Sequence, residues 1–387
     1  MAYLNFHLEI LKEKGALFTA AEISNQPFLW KKTASFFAVS AIDINNFLQS
    51  AYREVNSIIL TGAGTSAFIG LSLHGAFFKK TNILSQAVAT TDIVSHPEQY
   101  FSKTQVPLII SFARSGNSPE SCAALKLADK FSKKCFHLII TCSNDGALAG
   151  YQSVNPVFIF ALPEESNDKS LAMTGSYSSM LLAGLLTAYI NEKDFCEKQL
   201  QLVIQSAENI LKKYAKHMYA LAEKQFQRAV FLGSGPLFGT ATEAALKLQE
   251  LTDGQIICKA DTYLGFRHGP KAVIDENTLV IYFFSNNEYV LQYETDLVHS
   301  MKNGTAAMFQ LCVSNNKIEN IDIDEQINYL PANEKIAEDF LPLCSVLPAQ
   351  MLGFYKSLQL GLMPDAPSVS GAISRVVQGV NIYPVKL

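Results

Sequence analysis

Three charged residues in this sequence stand at spacings that could do chemistry together. In Glu243-Ala-Ala-Leu-Lys247-Leu-Gln-Glu250 the intervals of four and three bring all three to one face of a helix. Ala245, Leu248 and Leu251 can bury the other face, so the stripe is either solvated surface or a row of acid–base groups. Downstream, Gly-Phe-Arg-His268-Gly-Pro sets an imidazole on a loop. A lone loop histidine is ordinary surface. A carboxylate and an imidazole together can do more. One takes a proton from the carbon beside a carbonyl and returns it to the neighbouring carbon, and the other opens a sugar ring by moving a proton onto its oxygen.

A second set of residues suits an anion. The run SIILT leads into Gly-Ala-Gly64-Thr65-Ser66 and then a helix, whose first free N–H groups would point out of the carboxyl edge of a sheet. The run IISFA leads into Arg114-Ser115-Gly116-Asn117-Ser118-Pro119. There Gly116 permits a tight turn, the serines and Arg114 add donors, and Pro119 fits the first helical position with Ser118 as its cap. Either loop alone is an ordinary helix cap. Two at adjacent strand ends could surround a phosphate without a metal. Neither Gly-Ala-Gly-Thr-Ser nor Gly-Ser-Gly-Pro-Leu-Phe-Gly completes a dinucleotide fingerprint, so a dehydrogenase is not indicated.

The elements that must position these groups are legible as periodicity. Short apolar runs (SIILTGAG, VPLIISFA, FHLIITCS, PVFIFAL) alternate with helix-length segments, which predicts a parallel sheet covered on both faces. After a helical stretch from about Met173 to Gln225 the order resumes with RAVFLGSG, TLVIYFFS and AAMFQLCVS. Aligning Thr61 with Leu232 makes the second half a divergent copy of the first, one domain length further on. Where the first copy has Thr65, Ser66, Ser115 and Ser118, the second has Pro236, Leu237 and then Ser285, Asn286 and Asn287. One copy would keep an anion site while the other serves a different use. The expected fold is α/β: residues 1–50 form an N-terminal helical cap, with Thr19 and Glu22 as a capping box. Residues 51–205 and 206–387 form two tandem doubly wound, flavodoxin-like domains.

Composition narrows the class. The 387 residues are 49% hydrophobic and carry 31 Lys+Arg against 35 Asp+Glu. That length exceeds a single core, and the near balance of charge lacks the basic footprint of a nucleic-acid binder. The longest apolar stretch, Met180 to Ile190, is interrupted by Gly184 and Thr187 and is short of a membrane span. The start of the chain, with Glu9, Lys12, Glu13 and Lys14, does not read as a signal peptide, and cytoplasmic residence is the expectation. The seven cysteines include no C-x-x-C pair, and neither a disulfide framework, a zinc site nor another cofactor is indicated.

GAGTS, RSGNSPES and the ALKLQE helix followed by RHGP, in tandem units, resemble the sugar isomerase (SIS) domain proteins, in particular the isomerase half of glucosamine-6-phosphate synthase. Without an N-terminal glutaminase cysteine, the chain looks most like the two-unit galactosamine-6-phosphate deaminase/isomerases, also described as tagatose-6-phosphate ketose/aldose isomerases. The resemblance implies phosphate contacts at Ser66, Ser115 and Ser118, with Thr65 beside them. It implies proton transfer by Glu250, with Lys247 and Glu243 on the same face. It implies ring opening by His268 reaching over from the neighbouring subunit of a homodimer. Gly64, Thr174 and Arg375 are further candidate contacts. Ala113 stands where the family's S-x-S-G loop begins with a serine, and Arg114 follows it, so a guanidinium replaces one contact. Arg375 aligns near the synthase's Schiff-base lysine and cannot form an imine, which leaves Lys386 as the alternative. The implied substrate is a hexosamine 6-phosphate or ketohexose 6-phosphate. The implied reaction converts galactosamine 6-phosphate to tagatose 6-phosphate and ammonia. An isomerase without deamination and a non-catalytic sugar-phosphate sensor are the alternatives.

Overall fold

The computed structural model of the protein describes residues 2–331, 334–377 and 379–385. Two compact units form, and they are interleaved in sequence. The first unit comprises Phe28–Asp168, Gly175–Cys196 and Ile373–Leu387; the second comprises Met1–Pro27, Lys169–Thr174 and Glu197–Ala372.

The first unit is built on five parallel strands: β1 (Ser57–Gly62), β2 (Ser85–Ala89), β3 (Pro107–Ala113), β4 (Phe136–Thr141) and β5 (Val157–Ala161), in the order β2-β1-β3-β4-β5. Every residue of β3 and β4 is buried, as the continuous apolar runs require of strands covered on both faces. Helices α1 (Gln26–Tyr52), α2 (Thr65–Thr81), α3 (Pro119–Phe131) and α4 (Gly175–Ala188) surround this sheet. Trp30 of α1, fully buried, donates from Nε1 to Ser178 Oγ of α4 at 2.9 Å. Gly184 sets the approach of α4 to α2: a Cβ there would come within 2.3 Å of Leu73 Cδ1.

The second unit repeats the plan. Strands β6 (Arg228–Leu232), β7 (Ile257–Asp261), β8 (Thr278–Phe283), β9 (Phe309–Ser314) and β10 (Glu325–Asn328) are parallel and ordered β7-β6-β8-β9-β10, the same order as the first sheet. In both units the strand order reverses between the first and third strands, the switch point at which doubly wound sheets bind ligands. The unit's long helices include α5 (Lys193–Lys213, entering from the first unit), α6 (Pro236–Leu251), α7 (Glu288–Met301) and α8 (Leu341–Gln359). Gly353 lets α8 lie against α6, where an added Cβ would meet Leu251 Cδ1 at 2.8 Å and the Lys247 carbonyl oxygen at 3.3 Å.

The N-terminal cap is helical after a short hairpin of Ala2–Tyr3 with Phe6–His7. Thr19 and Glu22 form no capping box. Both lie inside the helix Leu17–Ser24, which starts beyond Ala16 without a side-chain cap. They hold distant parts of the same unit instead: Thr19 donates from N and Oγ1 to Asp365 Oδ1, and Glu22 accepts from Lys169 N and Ser170 Oγ. Local spacing suggested the box, and long-range partners for both side chains displaced it.

Candidate active site

The two loops expected to hold an anion lie at the carboxyl edge of the first sheet, beside its switch point. Gly62 ends β1 where a Cβ would approach the Ser66 carbonyl carbon to 2.6 Å, and Gly64 opens α2 at φ 54°, ψ −128°, a conformation glycine tolerates. The same backbone recurs at Gly235 before α6, which ties the two loops as copies. Thr65 and Ser66 follow, both buried, and no side chain caps α2. After β3, Gly116 sits at φ 68° and passes close to Gly146, where a Cβ at 146 would meet the Ser115 carbonyl oxygen at 2.1 Å. Ser115 Oγ accepts from Asn117 N at 3.3 Å. Ser118 occupies the cap position of α3, but its hydroxyl makes no capping bond. The expected cap role for Ser118 therefore fails, because the chain enters α3 without turning that oxygen onto the helix N–H groups. Arg114 is buried and donates through Nη2 to the Arg375 carbonyl of the same unit. The tail thus engages the guanidinium expected to face phosphate.

The charged row lies on α6 of the second unit. Glu243 and Lys247 are 0% and 1% exposed, which removes the solvated-stripe reading. Lys247 Nζ is hydrogen-bonded to Glu250 Oε2 and lies 3.6 Å from Glu243 Oε1, so one ammonium joins two carboxylates. Glu250 keeps part of its side chain in solvent, as a group that exchanges protons with a ligand requires. His268 is exposed, in the loop after β7, its backbone N–H tied to Gly265 O at 3.0 Å.

A family model described as SIS domain matches residues 51–190 and 221–356, one match spanning each sheet. The chain belongs to the SIS domain family. It is 40% identical over 380 residues to the D-galactosamine-6-phosphate deaminase AgaS of Shewanella sp. (strain ANA-3), covering 97% of this chain and 94% of that protein. An Escherichia coli AgaS deaminase is 38% identical over 373 residues, with 95% of each covered. Among solved structures, a Clostridium novyi NT protein superposes with a TM-score of 0.96 at 41% identity over the full length of both chains. The tagatose-6-phosphate ketose/aldose isomerase of Escherichia coli gives 0.85 at 34% identity, covering 95% of this chain and 97% of that one.

Within the second SIS unit, Glu250 and His268 lie on separate segments, the end of α6 and the loop after β7. Lys271, three residues beyond His268, donates from Nζ to Ser300 O at 2.6 Å in the last turn of α7. Helix α6 begins at the carboxyl edge, and its roughly 22 Å length carries Glu250, in the last turn, toward the amino edge. The segment leading to His268 is pinned at the carboxyl edge by Tyr263, whose hydroxyl donates to Phe283 O at the end of β8 (3.1 Å). Thr174 is buried immediately before α4. Arg375 is held by the first unit, with Nε to Asp168 O at 2.9 Å and Nη2 to Asn167 Oδ1 at 2.7 Å. Lys386 lies outside the described residues.

Among the described residues, the group that could offer metal ligands lies elsewhere. Asp129, Cys135 and His137 place one ligand atom each within 4.8 Å of one another, at the amino edge of the first sheet. They form a hydrogen-bonded knot: His137 Nε2 to Asp129 Oδ1 at 2.8 Å, Cys135 Sγ to the same oxygen at 3.2 Å, and Tyr151 hydroxyl to Oδ2 at 2.6 Å. Burial raises the Asp129 carboxyl, but the hydrogen bonds from His137, Tyr151 and Asn155 outweigh it and hold the group well below the usual carboxylate range. Sequence reasoning missed the knot because its ligands fall in a helix end and a strand with no motif spacing.

Proposed function

We propose that this SIS protein is a cytoplasmic, homodimeric enzyme that hydrolytically deaminates galactosamine 6-phosphate to tagatose 6-phosphate. The observation that carries this reading is the buried carboxylate–ammonium–carboxylate row on α6, which ends on the partly exposed Glu250. The galacto substrate follows the names of the AgaS relatives. The domain comprising residues 51–205 supplies the anion cradle: Thr65, Ser66, Ser115, Gly116 and Ser118 offer hydroxyl and backbone donors to the phosphate beside the start of α3. The domain of residues 206–387 supplies the proton chemistry.

His268 passes the proton of the C1 hydroxyl to the ring oxygen and opens the sugar. Glu250 takes the proton from C2 as the C1 oxygen gains one, which leaves a 1,2-enolamine. Returning the proton to C1 gives a C2 iminium, to which water adds; loss of ammonia leaves the C2 ketone. Lys247 positions the Glu250 carboxylate. Delivery of His268 by a second copy follows the family resemblance, in which the ring-opening histidine comes from the neighbouring subunit, and the exposure of His268 supports it.

The purified protein should release ammonia from galactosamine 6-phosphate faster than from other hexosamine 6-phosphates. No release from any of them overturns the deaminase reading. The Escherichia coli isomerase structure favours one alternative, interconversion of aldose and ketose phosphates without loss of nitrogen, which shares every step up to C1 protonation. Turnover of non-amino sugar phosphates with hexosamine phosphates inert selects it.

A further inference from the structure

The two SIS units treat the same edge of the same fold differently. In the second unit, Ser285 is the second residue beyond β8, as Ser115 is beyond β3, and the loop is turned onto a carboxylate of its own unit. Ser285 Oγ donates to Glu338 Oε1 at 2.6 Å, and the Asn286 backbone N–H donates to Glu338 Oε2 at 3.1 Å. Asn286 Nδ2 adds a bond to Ile336 O at 2.5 Å, which holds the segment carrying Glu338 against the loop. A hydroxyl and an adjacent backbone N–H at a switch point are the donors an oxyanion takes, and here two carboxylate oxygens stand in for two phosphate oxygens. The helix that follows is closed separately, since Asn287 Oδ1 accepts from Tyr289 N and Val290 N of α7.

We propose that the second SIS unit retains an oxyanion site on Ser285 and Asn286 and that Glu338 fills it as a tethered ligand, so that inorganic phosphate can enter only when that side chain is removed. The filled site also has a mechanical use. Glu338 begins the short turn that runs directly into α8, and α8 packs along α6 beside Lys247. The carboxyl group facing the cradle from behind is that of Glu294, which accepts the Ser285 N–H at 2.8 Å. Burial pushes Glu294 up to about 8, so at pH 6.5 it is neutral and does not repel an incoming anion.

Equilibrium dialysis of the full chain against inorganic phosphate at pH 6.5 tests this. Glu338→Ala should bind one more phosphate per chain than the unsubstituted protein, and Ser285→Ala added to it should remove that extra phosphate. Phosphate should also raise the melting temperature of Glu338→Ala by more than it raises that of the unsubstituted protein. A folded Glu338→Ala with unchanged stoichiometry overturns the proposal. If Glu338→Ala does not fold in dilute buffer, refolding yield decides. A yield restored by phosphate but not by chloride of equal ionic strength supports the site, and equal yields overturn it. No readout depends on turnover, so the result stands apart from the proposed reaction.

Discussion

Glu250 shares an oxygen with Lys247, while Glu243 sits behind that ammonium, fully buried. This arrangement fixes the carboxylate without consuming its other oxygen. Replacing it with an amide of the same shape keeps the contact with Lys247 and removes the capacity to take a proton. Glu250→Gln should lower kcat by about 10²-fold or more with KM nearly unchanged, since general-base loss acts on the transition state. Steady-state kinetics check this; unchanged turnover would remove Glu250 as the base, and retained sugar-phosphate binding with no turnover would exclude a pure sensor. At this scale the spacing of Glu243, Lys247 and Glu250 was legible in the sequence. Their burial was not, because a charged stripe looks the same whether it faces water or a packed helix. Ser118 shows the converse. Its place before Pro119 fits a cap, and only the backbone path reveals an uncommitted cap position.

The central strands were readable as elements because both faces are buried and their residues are continuously apolar. Edge strands β2, β7 and β10 were not. Ser-Gln-Ala-Val-Ala, Ile-Cys-Lys-Ala-Asp and Glu-Gln-Ile-Asn mix polar and apolar residues, since one side meets solvent or loop, and pairing with a neighbour makes them strands. The junction of β8 and α7 has a thermodynamic signature of its own. Burial, with Glu338 adding a repulsive charge and Ser285 N–H partly opposing, raises Glu294 from 4.5 to about 8. Between those values the folded chain keeps a proton that the unfolded chain releases. The stability due to this group is therefore complete below pH 4.5 and is lost as pH rises through 8. Glu294→Gln, neutral throughout, should gain on the unsubstituted protein from pH 5 to pH 9, by on the order of a few kcal/mol. Urea unfolding at pH 5, 7 and 9 measures this, and parallel pH profiles would refute it.

For the whole molecule, the proposed exchange of His268 between copies predicts complementation. Glu250→Gln and His268→Asn homodimers should each be inactive. Mixing them under conditions of subunit exchange should restore about a quarter of full activity, because half the dimers are hybrid and each hybrid holds one intact site. A mixture no more active than its parents places His268 and Glu250 in the same copy or removes one of them from the chemistry. By itself, the sequence determined that there are two copies of a parallel α/β unit, since hydrophobic periodicity and the paired glycines at 62, 64, 233 and 235 are local properties. It also determined which side chains could hold an anion or move a proton. Only the tertiary structure decided which of them are available. Glu338, Arg375 and Asp365 are distant in sequence from the groups they bind, and burial decides whether a charge meets water or a partner.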